Sequence, residues 1–143
     1  MRSLALDVGD RRVGVAVSDE AGLLATPLTV IRRTSKADDF RKIARLVREQ
    51  RAQRLVVGHP LNADGSAGPQ ARRVERYAAA LSEALKLDGL SLRVIMWDEY
   101  GSTQRAQQLM IGAGRGARHR KQRIDAAAAA VILQDYLDEH QAI

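Results

Sequence analysis

Residues 3–18 read SLALDVGDRRVGVAVS, and this stretch decides the fold. Two short, mostly aliphatic runs, 3–8 and 13–18, are separated by Gly-Asp-Arg-Arg, a composition typical of a turn. The pattern predicts a β-hairpin that forms the first antiparallel pair of a sheet. Asp7 is the one charged residue of the first run, and a carboxylate inside an apolar strand is costly unless something pairs with it. Asp7 is therefore the first candidate functional residue.

The sequence beyond the hairpin predicts a mixed sheet. Residues 28–32, entered through Pro27, are predicted to form a third strand. After them, helical periodicity alternates with short apolar runs. The remaining predicted elements are helix 38–51, strand 54–58, helix 70–86, strand 92–97, helix 102–111 and helix 122–140. A meander followed by strand–helix alternation indicates an α/β fold with a five-stranded mixed sheet flanked by helices, and the length fits one domain over residues 1–143.

The apolar faces of three predicted helices identify candidate core residues. These are Phe40, Ile43, Ala44 and Val47 in the first, Val74, Tyr77, Ala78, Leu81 and Leu85 in the second, and Ala126, Ala129, Ala130, Leu133 and Leu137 in the last. Val131, Ile132 and Tyr136 fit either the core or an interface between two copies of the chain. A homodimer therefore stays an open alternative.

The composition limits the classes of function. The chain has no cysteine, which excludes a disulfide scaffold, thiolate zinc sites and cysteine nucleophiles and fits a reducing compartment. Its aromatic content of 3% argues against a platform on which bases stack. No apolar stretch has the length of a signal peptide or a membrane span. We therefore expect a cytoplasmic protein that is not attached to a membrane.

The positive charge is concentrated in one segment. Of a formal net charge of +6, the stretch 115–123 contributes five basic residues and no acid. Its first part belongs to a predicted Gly-containing loop, residues 112–120. A local basic patch of this kind is typical of a surface that binds phosphate backbones, and a solvated loop without a ligand is the alternative.

Carboxylates recur at the ends of predicted elements. Asp98 and Glu99 end the last strand, and Asp125 opens the last helix. Strand ends in α/β sheets converge on one edge, where ligands usually bind. The methyl side chains of residues 126–130 allow the last helix to approach the sheet closely. This order of elements can bring the acids to Asp7.

Grouped carboxylates repel one another unless a cation lies between them, and hard divalent ions prefer oxygen ligands. Two such ions about 4 Å apart can activate a water and stabilise the leaving oxygen of a phosphoryl displacement. Together with the basic segment, the acids predict a metal-dependent hydrolase of phosphodiester bonds in nucleic acid. Singly, each acid also fits a structural role: Asp7 as an acceptor of turn N–H groups, Asp125 as a first-turn helix acid, and Asp98 with Glu99 as a solvated strand end.

The sequence contains four ordered blocks: LDVG with VGVAVS at 6–9 and 13–18, VGHPLNADG at 57–65, WDE with Ser-Thr at 97–99 and 102–103, and RIDAAA at 123–128. Together these blocks resemble the YqgF/RuvX family of pre-16S rRNA nucleases, once called Holliday junction resolvase-like proteins. Two positions depart from the family pattern. Tyr100 stands where the family has an arginine, and His59 stands where it has a leucine.

The resemblance implies a ribonuclease H-like fold and cleavage that depends on Mg²⁺ or Mn²⁺. It implies Asp7, Glu99 and Asp125 as the catalytic, metal-binding acids. Asp98 and Glu99 should face opposite sides of the sheet because neighbours in a strand alternate, and the family match favours Glu99 as the residue that faces Asp7. The implied function is trimming of the 5′ end of the 16S rRNA precursor, with cleavage of branched DNA as the alternative.

The remaining candidate site residues fall into two groups. The candidates for phosphate contacts are Arg11, Arg12, Arg118, Arg120, Lys121 and Arg123. The residues expected to shape loops beside the site are Asn62, Asp64, Gly65, Asp98 and Thr103. A nucleic-acid-binding assembly factor without catalysis is a rival interpretation. An actin-like ATPase also opens on Asp-x-Gly and a hairpin, but it needs two such domains, and this length provides one.

Overall fold

The computed structural model describes residues 1–98 and 117–141, with side chains described as far as residue 98 and over residues 125–140. The elements are β1 Ser3–Val8, β2 Arg12–Ser18, β3 Ala25–Arg32, α1 Lys36–Gln50, β4 Arg54–His59, α2 Pro69–Leu87, β5 Arg93–Asp98 and α3 Ala117–Gln141. The predicted helix over 102–111 lies outside the described residues.

The strands form one mixed sheet in the order β3-β2-β1-β4-β5. The pairs β1–β2 and β2–β3 are antiparallel, and β1–β4 and β4–β5 are parallel. This is the predicted meander followed by parallel strands, so the predicted α/β class is confirmed. β1 is the central strand, which explains why all its apolar residues are buried.

The two faces of the sheet are covered by different helices. On one face, alternate β1 residues such as Leu4 and Leu6 pack with the buried side chains of α1 and α2. On the other face, Ala5 packs with Ala16, with Val56 and with the buried side chains of α3. Side chains along a strand alternate between the two faces of the sheet. Every second residue of a strand therefore faces α1 and α2, and the residues between them face α3.

Helices α1 and α2 begin and end where local chemistry favours it. Ser35 caps α1 by accepting a hydrogen bond from the backbone N–H of Asp38, and Arg51 ends the helix in a left-handed conformation with φ 54°. Pro69 opens α2 at its first turn, where its missing N–H costs nothing. All predicted core residues of both helices are buried, as expected from their spacing.

The predicted basic loop is wrong in its last part, because α3 begins earlier than predicted. The loop was expected over 112–120, but the helix begins at Ala117, so its last four residues are helical. The last glycine of the stretch is Gly116, and the residues after it are mostly good helix formers. Ile132 and Tyr136, left open between core and interface, are buried in the core, whereas Val131 is half-buried. No helix within the described ranges is long and apolar enough to cross a membrane.

Strand β3 is longer than predicted. It begins at Ala25 rather than at residue 28 and runs through Pro27. Proline lacks the N–H that a central strand needs, but β3 lies at the edge of the sheet, where a proline is tolerated. The pairing register with β2 shifts between Val15 and Ala16, just beside that proline.

Candidate carboxylate site

Asp7 lies at the carboxyl end of the central strand, on the face covered by α3. Asp7 follows Ala5 by two residues and therefore shares its face of the sheet. Ala5 packs against the buried side chains of α3. Asp7 is half-buried, unlike the fully buried residues before it. The strand therefore presents one partly accessible carboxylate on the face that α3 covers.

Gly14 brings the second acid to the same place. It is the register partner of Asp7 across the β1–β2 pair, so both positions point to the same face. A Cβ added at Gly14 would lie 2.0 Å from the backbone carbonyl oxygen of Asp125 and 3.1 Å from the backbone nitrogen of Ala126. The backbone of α3 thus rests on β2 directly beside Asp7. This close approach places two acids that are far apart in the sequence at neighbouring positions on one face.

Arg12 forms an ion pair with Asp125 on this face. Its Nε donates a hydrogen bond to Oδ2 of Asp125 at 2.6 Å, and both side chains are half-buried. Arg12 precedes Gly14 by two residues and shares its face. We predicted Arg12 as a phosphate contact, whereas the structure places its guanidinium on a predicted catalytic acid. The alternation of Arg12 and Gly14 along β2 was the available signal for this pairing.

Asp98 lies on the opposite face. The residues before it in β5 alternate between the two faces: Val94 and Met96 pack against the α1–α2 core, while Ile95 and Trp97 pack against α3. Asp98 continues the first series and is exposed. Of the two adjacent acids, Asp98 is therefore not the one that faces Asp7. Glu99, Tyr100 and Thr103 lie outside the described residues.

The donor set of this site fits a hard divalent cation. Within residues 1–98 and 125–140, whose side chains the structure describes, no group of three or more metal-ligating side chains is close enough to hold an ion. The described part of the site contributes two carboxylates, Asp7 and Asp125, and the third predicted ligand, Glu99, is outside it. Oxygen donors at a half-buried, partly solvated position are what Mg²⁺ and Mn²⁺ prefer. The Asp125 carboxylate already meets a cation here, the guanidinium of Arg12.

His59 belongs to a contact on the other side of the sheet. Its Nε2 lies 2.8 Å from Oε2 of Glu75 in α2. It follows Val57, which is part of the core under α1 and α2, and alternation places His59 on that face. The residue that replaces the expected leucine is therefore accounted for by a pairing with α2 and not by the carboxylate site.

The loop after β4 is held by its own hydrogen bonds. The backbone N–H of Asn62 donates to the carbonyl of Ser66, and the N–H of Gly65 donates to the carbonyl of Asn62. Asp64 accepts from the hydroxyl of Ser66 at 2.6 Å and from its backbone N–H at 2.9 Å. These bonds lower the pKa of Asp64, the hydroxyl bond most. Gly65 has φ +86°, which explains the glycine at this turn.

The remaining predicted phosphate contacts lie near the same end of the molecule. Arg11 is exposed in the turn between β1 and β2. The helical backbone of α3 carries Arg118, Arg120, Lys121 and Arg123 in the two turns before Asp125. The side chains of these four residues lie outside the described part. Their backbone placement puts four basic residues on the segment that leads into the carboxylate site.

Sequence comparisons give a consistent result. A family model described as "RuvX: Holliday junction resolvase" matches residues 1–139. A protein of Synechococcus sp. strain JA-2-3B'a(2-13) is 46% identical over 99% of this chain and 81% of its own length. A protein of Thermoanaerobacter pseudethanolicus is 41% identical over 99% of both chains. A protein of Bacillus cytotoxicus is 43% identical over 96% of this chain and 98% of its own length. All three carry the name "Putative pre-16S rRNA nuclease".

Solved structures share the fold at low sequence identity. RuvC of Thermus thermophilus, in complex with a Holliday junction substrate, superposes with a TM-score of 0.59 at 13% identity, over 99% of this chain and 97% of that one. The fowlpox virus resolvase in complex with junction DNA gives 0.57 at 9% identity, over 98% and 99%. The yeast mitochondrial Holliday junction resolvase gives 0.56 at 12% identity, over 94% and 77%. The predicted ribonuclease H-like fold is therefore confirmed.

Proposed function

Because the chain belongs to the RuvX family, we propose that it is a metal-dependent nuclease that trims the 5′ end of precursor 16S rRNA. Relatives with 41–46% identity over nearly the whole chain carry the corresponding name. The observation that supports the chemistry best is the approach of α3 to Gly14, which brings Asp125 beside Asp7. Phosphodiester hydrolysis by grouped carboxylates needs this arrangement.

Asp7, Glu99 and Asp125 are the proposed catalytic acids and the proposed ligands of Mg²⁺ or Mn²⁺. An ion bound there would supply an activated water and would neutralise charge on the scissile phosphate. The contribution of the chain is to hold the carboxylates in place before substrate arrives. β1 fixes Asp7 through its central position in the sheet, and α3 fixes Asp125 through its contact with β2.

Arg11, Arg118, Arg120, Lys121 and Arg123 are proposed to hold the phosphate backbone beside the carboxylates. Phosphate contacts of this kind position the nucleic acid and make its binding salt-dependent. Arg12 has a different proposed task. We assign it as a positioning residue that orients the Asp125 carboxylate, because its guanidinium is already engaged at 2.6 Å. Two adjacent arginines thus have different proposed roles: Arg11, in the turn, binds phosphate, and Arg12, at the start of β2, orients Asp125.

Substitution of Arg12 tests this division. Arg12→Gln is expected to lower kcat by about 100-fold, because a displacement of about 1 Å at a catalytic group costs that much, and to leave KM nearly unchanged. Stability should change by less than about 1 kcal/mol, since the pair is partly exposed. Arg12→Lys should restore part of kcat. The matched control is Arg11→Gln, which should raise KM and spare kcat. Equal effects of both substitutions on KM alone would contradict the positioning role.

The proposed location is the cytoplasm, and the proposed partner is RNA. Branched DNA is the second candidate substrate, favoured by the family description and by the fold shared with junction resolvases. Junction resolution would require a symmetric dimer, because two strands must be cut at matched positions. RNA trimming makes no such demand, so the oligomeric state in solution bears on the choice.

A side-by-side cleavage assay tests the proposal. Precursor 16S rRNA and a four-way DNA junction are incubated with the protein and Mg²⁺ or Mn²⁺, and the cut sites are mapped. We expect cleavage near the 5′ end of the mature RNA, at least about 10-fold faster than cleavage of the junction, and no cleavage with a chelator. Faster, symmetric cutting of the junction would establish the resolvase alternative. Binding of RNA without cleavage of either substrate would identify an assembly factor.

A further inference from the structure

A cavity of about 180 Å³ lies on the face of the sheet opposite the carboxylate site. It is enclosed by the turn after β1 and by the first turns of α1 and α2, with Gly9, Lys36 and Gln70 among its lining residues. Val8, which lines it, follows Asp7 directly and faces the α1–α2 core. The cavity and the carboxylates therefore lie at the same end of β1, on its two sides.

Four basic side chains converge on this cavity. Arg33, Lys36, Arg73 and Arg76 line it, against a single carboxylate in the lining, Asp10. Arg73 and Arg76 are three residues apart in α2, so they lie on one side of that helix. A concentration of one sign of charge around a concave surface raises the local concentration of the opposite ion.

Three contacts hold the Arg33 side chain in place beside the cavity. It donates a hydrogen bond to the backbone carbonyl of Gly9 at 2.8 Å, and its Nε lies 3.6 Å from the carboxylate of Asp39, which is buried. Its guanidinium lies over the ring of Tyr77, 4.7 Å from the ring centre. Asp39 balances the charge of Arg33, so this residue contributes shape and N–H groups more than net charge.

The other three cations supply the net charge. Among the described ion pairs, none involves Lys36, Arg73 or Arg76, so their ammonium and guanidinium groups are available to an anion. The start of α2 adds to this charge, because its first turn has no acidic residue and its N-cap, Gly68, provides no side-chain hydrogen bond. Backbone N–H groups at a helix start carry partial positive charge and favour phosphate.

The dimensions and lining indicate the ligand. A volume of about 180 Å³ corresponds to roughly six water molecules, which suits a phosphate with part of its sugar. The floor is apolar, formed by Val8, Val74 and Tyr77, and the cations lie around it. A phosphate–sugar unit has the same division between a charged group and a less polar one.

We propose that this cavity binds a backbone phosphate of the nucleic-acid substrate, so that the strand crosses the edge of the sheet from the carboxylates to the opposite face. The inference rests on the proposed nuclease function, because it assigns the ligand to the same substrate. It adds a second point of attachment, one residue beyond Asp7 along β1 and on the other side of the sheet. Two such points fix both the position and the direction of the strand.

The test compares two charge-matched double variants. Arg73→Gln with Arg76→Gln removes two charges from the cavity, whereas Arg45→Gln with Arg72→Gln removes two exposed charges of α1 and α2 that do not line it. Binding of labelled single-stranded precursor RNA is measured in chelator over a series of KCl concentrations. The cavity variant should raise Kd at least about 10-fold and reduce the salt slope by roughly 0.7, the value for one lost phosphate contact on a single strand. The control variant should change Kd less than threefold.

Two further measurements separate the outcomes. Asp10→Asn removes the one carboxylate of the lining and should lower Kd. Inorganic phosphate and adenosine 5′-monophosphate are added as competitors, and displacement of RNA by either at micromolar concentration would overturn the proposal in favour of a site for small free anions. Equal weakening by both double variants, or no RNA binding by the wild type, would also overturn it. The binding assays contain chelator, so a loss of cleavage cannot be mistaken for a loss of binding. If the wild type cleaves RNA once metal is added and the cavity variant binds RNA normally, the nuclease proposal stands and the cavity proposal is wrong.

Discussion

Asp7→Asn is expected to lower metal-dependent RNA cleavage by at least about 1,000-fold, or about 4 kcal/mol of transition-state stabilisation. The substitution keeps the shape of the side chain and removes its charge. Asp7 is half-buried at the end of the central strand, where Gly14 and the backbone of Asp125 lie beside it. An amide is a poor ligand for a hard divalent ion, so the remaining acids would hold the ion weakly.

The loss should be specific to catalysis. Asp7→Asn should leave the free energy of unfolding within about 1 kcal/mol of wild type, because the substitution keeps the size of a side chain that is only half-buried. Binding of RNA in chelator should be unchanged or tighter. Cleavage is measured with labelled precursor RNA under single-turnover conditions, and stability by urea denaturation.

Asp98→Asn is the matched control. Asp98 is also a carboxylate at the end of a strand near the same edge, but it is exposed and faces the α1–α2 side. Its substitution should change cleavage less than threefold. If Asp98→Asn abolished cleavage while Asp7→Asn retained it, the assignment of the catalytic face would be wrong.

The elements of the sheet could be predicted because their patterns are local. The aliphatic runs on both sides of residues 9–12 predicted the hairpin, and the apolar spacing in α1 and α2 predicted their buried faces. The position of Asp7 within an apolar run was an equally local signal. The errors came where tertiary context decides: β3 extends through Pro27 because it is an edge strand, and α3 begins at Ala117 despite the basic composition of its first turns.

The neighbouring placement of Asp7 and Asp125 could be predicted from the sequence, but their contacts could be predicted only in part. Asp7 and Asp125 were identified by residue type and by the family resemblance. The partner of Asp125 was not, because an arginine in a turn next to a nucleic-acid-binding site is ordinarily assigned to phosphate. Arg12 pairs with Asp125 because it lies on the same face of β2 as Gly14, where α3 approaches the sheet. That approach depends on the single glycine, Gly14. No local pattern distinguishes Gly14 from a glycine that merely fits a strand.

Gly14→Ala is expected to destabilise the protein by more than about 3 kcal/mol, at or beyond the upper end of ordinary overpacking. The new Cβ would lie 2.0 Å from the carbonyl oxygen of Asp125 and 2.4 Å from its carbonyl carbon. Ordinary contact begins at 3.4 Å, so the helix would have to move by about 1.4 Å. These are backbone atoms of a helix, which cannot rotate away as a side chain can.

The same displacement would move Asp125 away from Asp7, so cleavage should fall at least about 100-fold even under conditions where the variant is folded. Trp97 is the single tryptophan, and its ring lies 5.2 Å from that of Tyr136 in α3. Its fluorescence therefore reports the position of the helix independently of activity. Urea denaturation measures the change in stability, and an unchanged slope with a lower midpoint would show that the folded state itself is weakened.

Gly68→Ala separates steric contact from the general effect of adding a methyl group to a glycine. A Cβ at Gly68 would meet the amide of Asn62 at 3.6 Å, which is ordinary contact, so this variant should lose less than about 1 kcal/mol and keep its activity. If Gly14→Ala were as stable and as active as Gly68→Ala, α3 would not rest on β2 as the structure has it. Asp125 would then have no fixed place beside Asp7, and the carboxylate site would lose its physical basis.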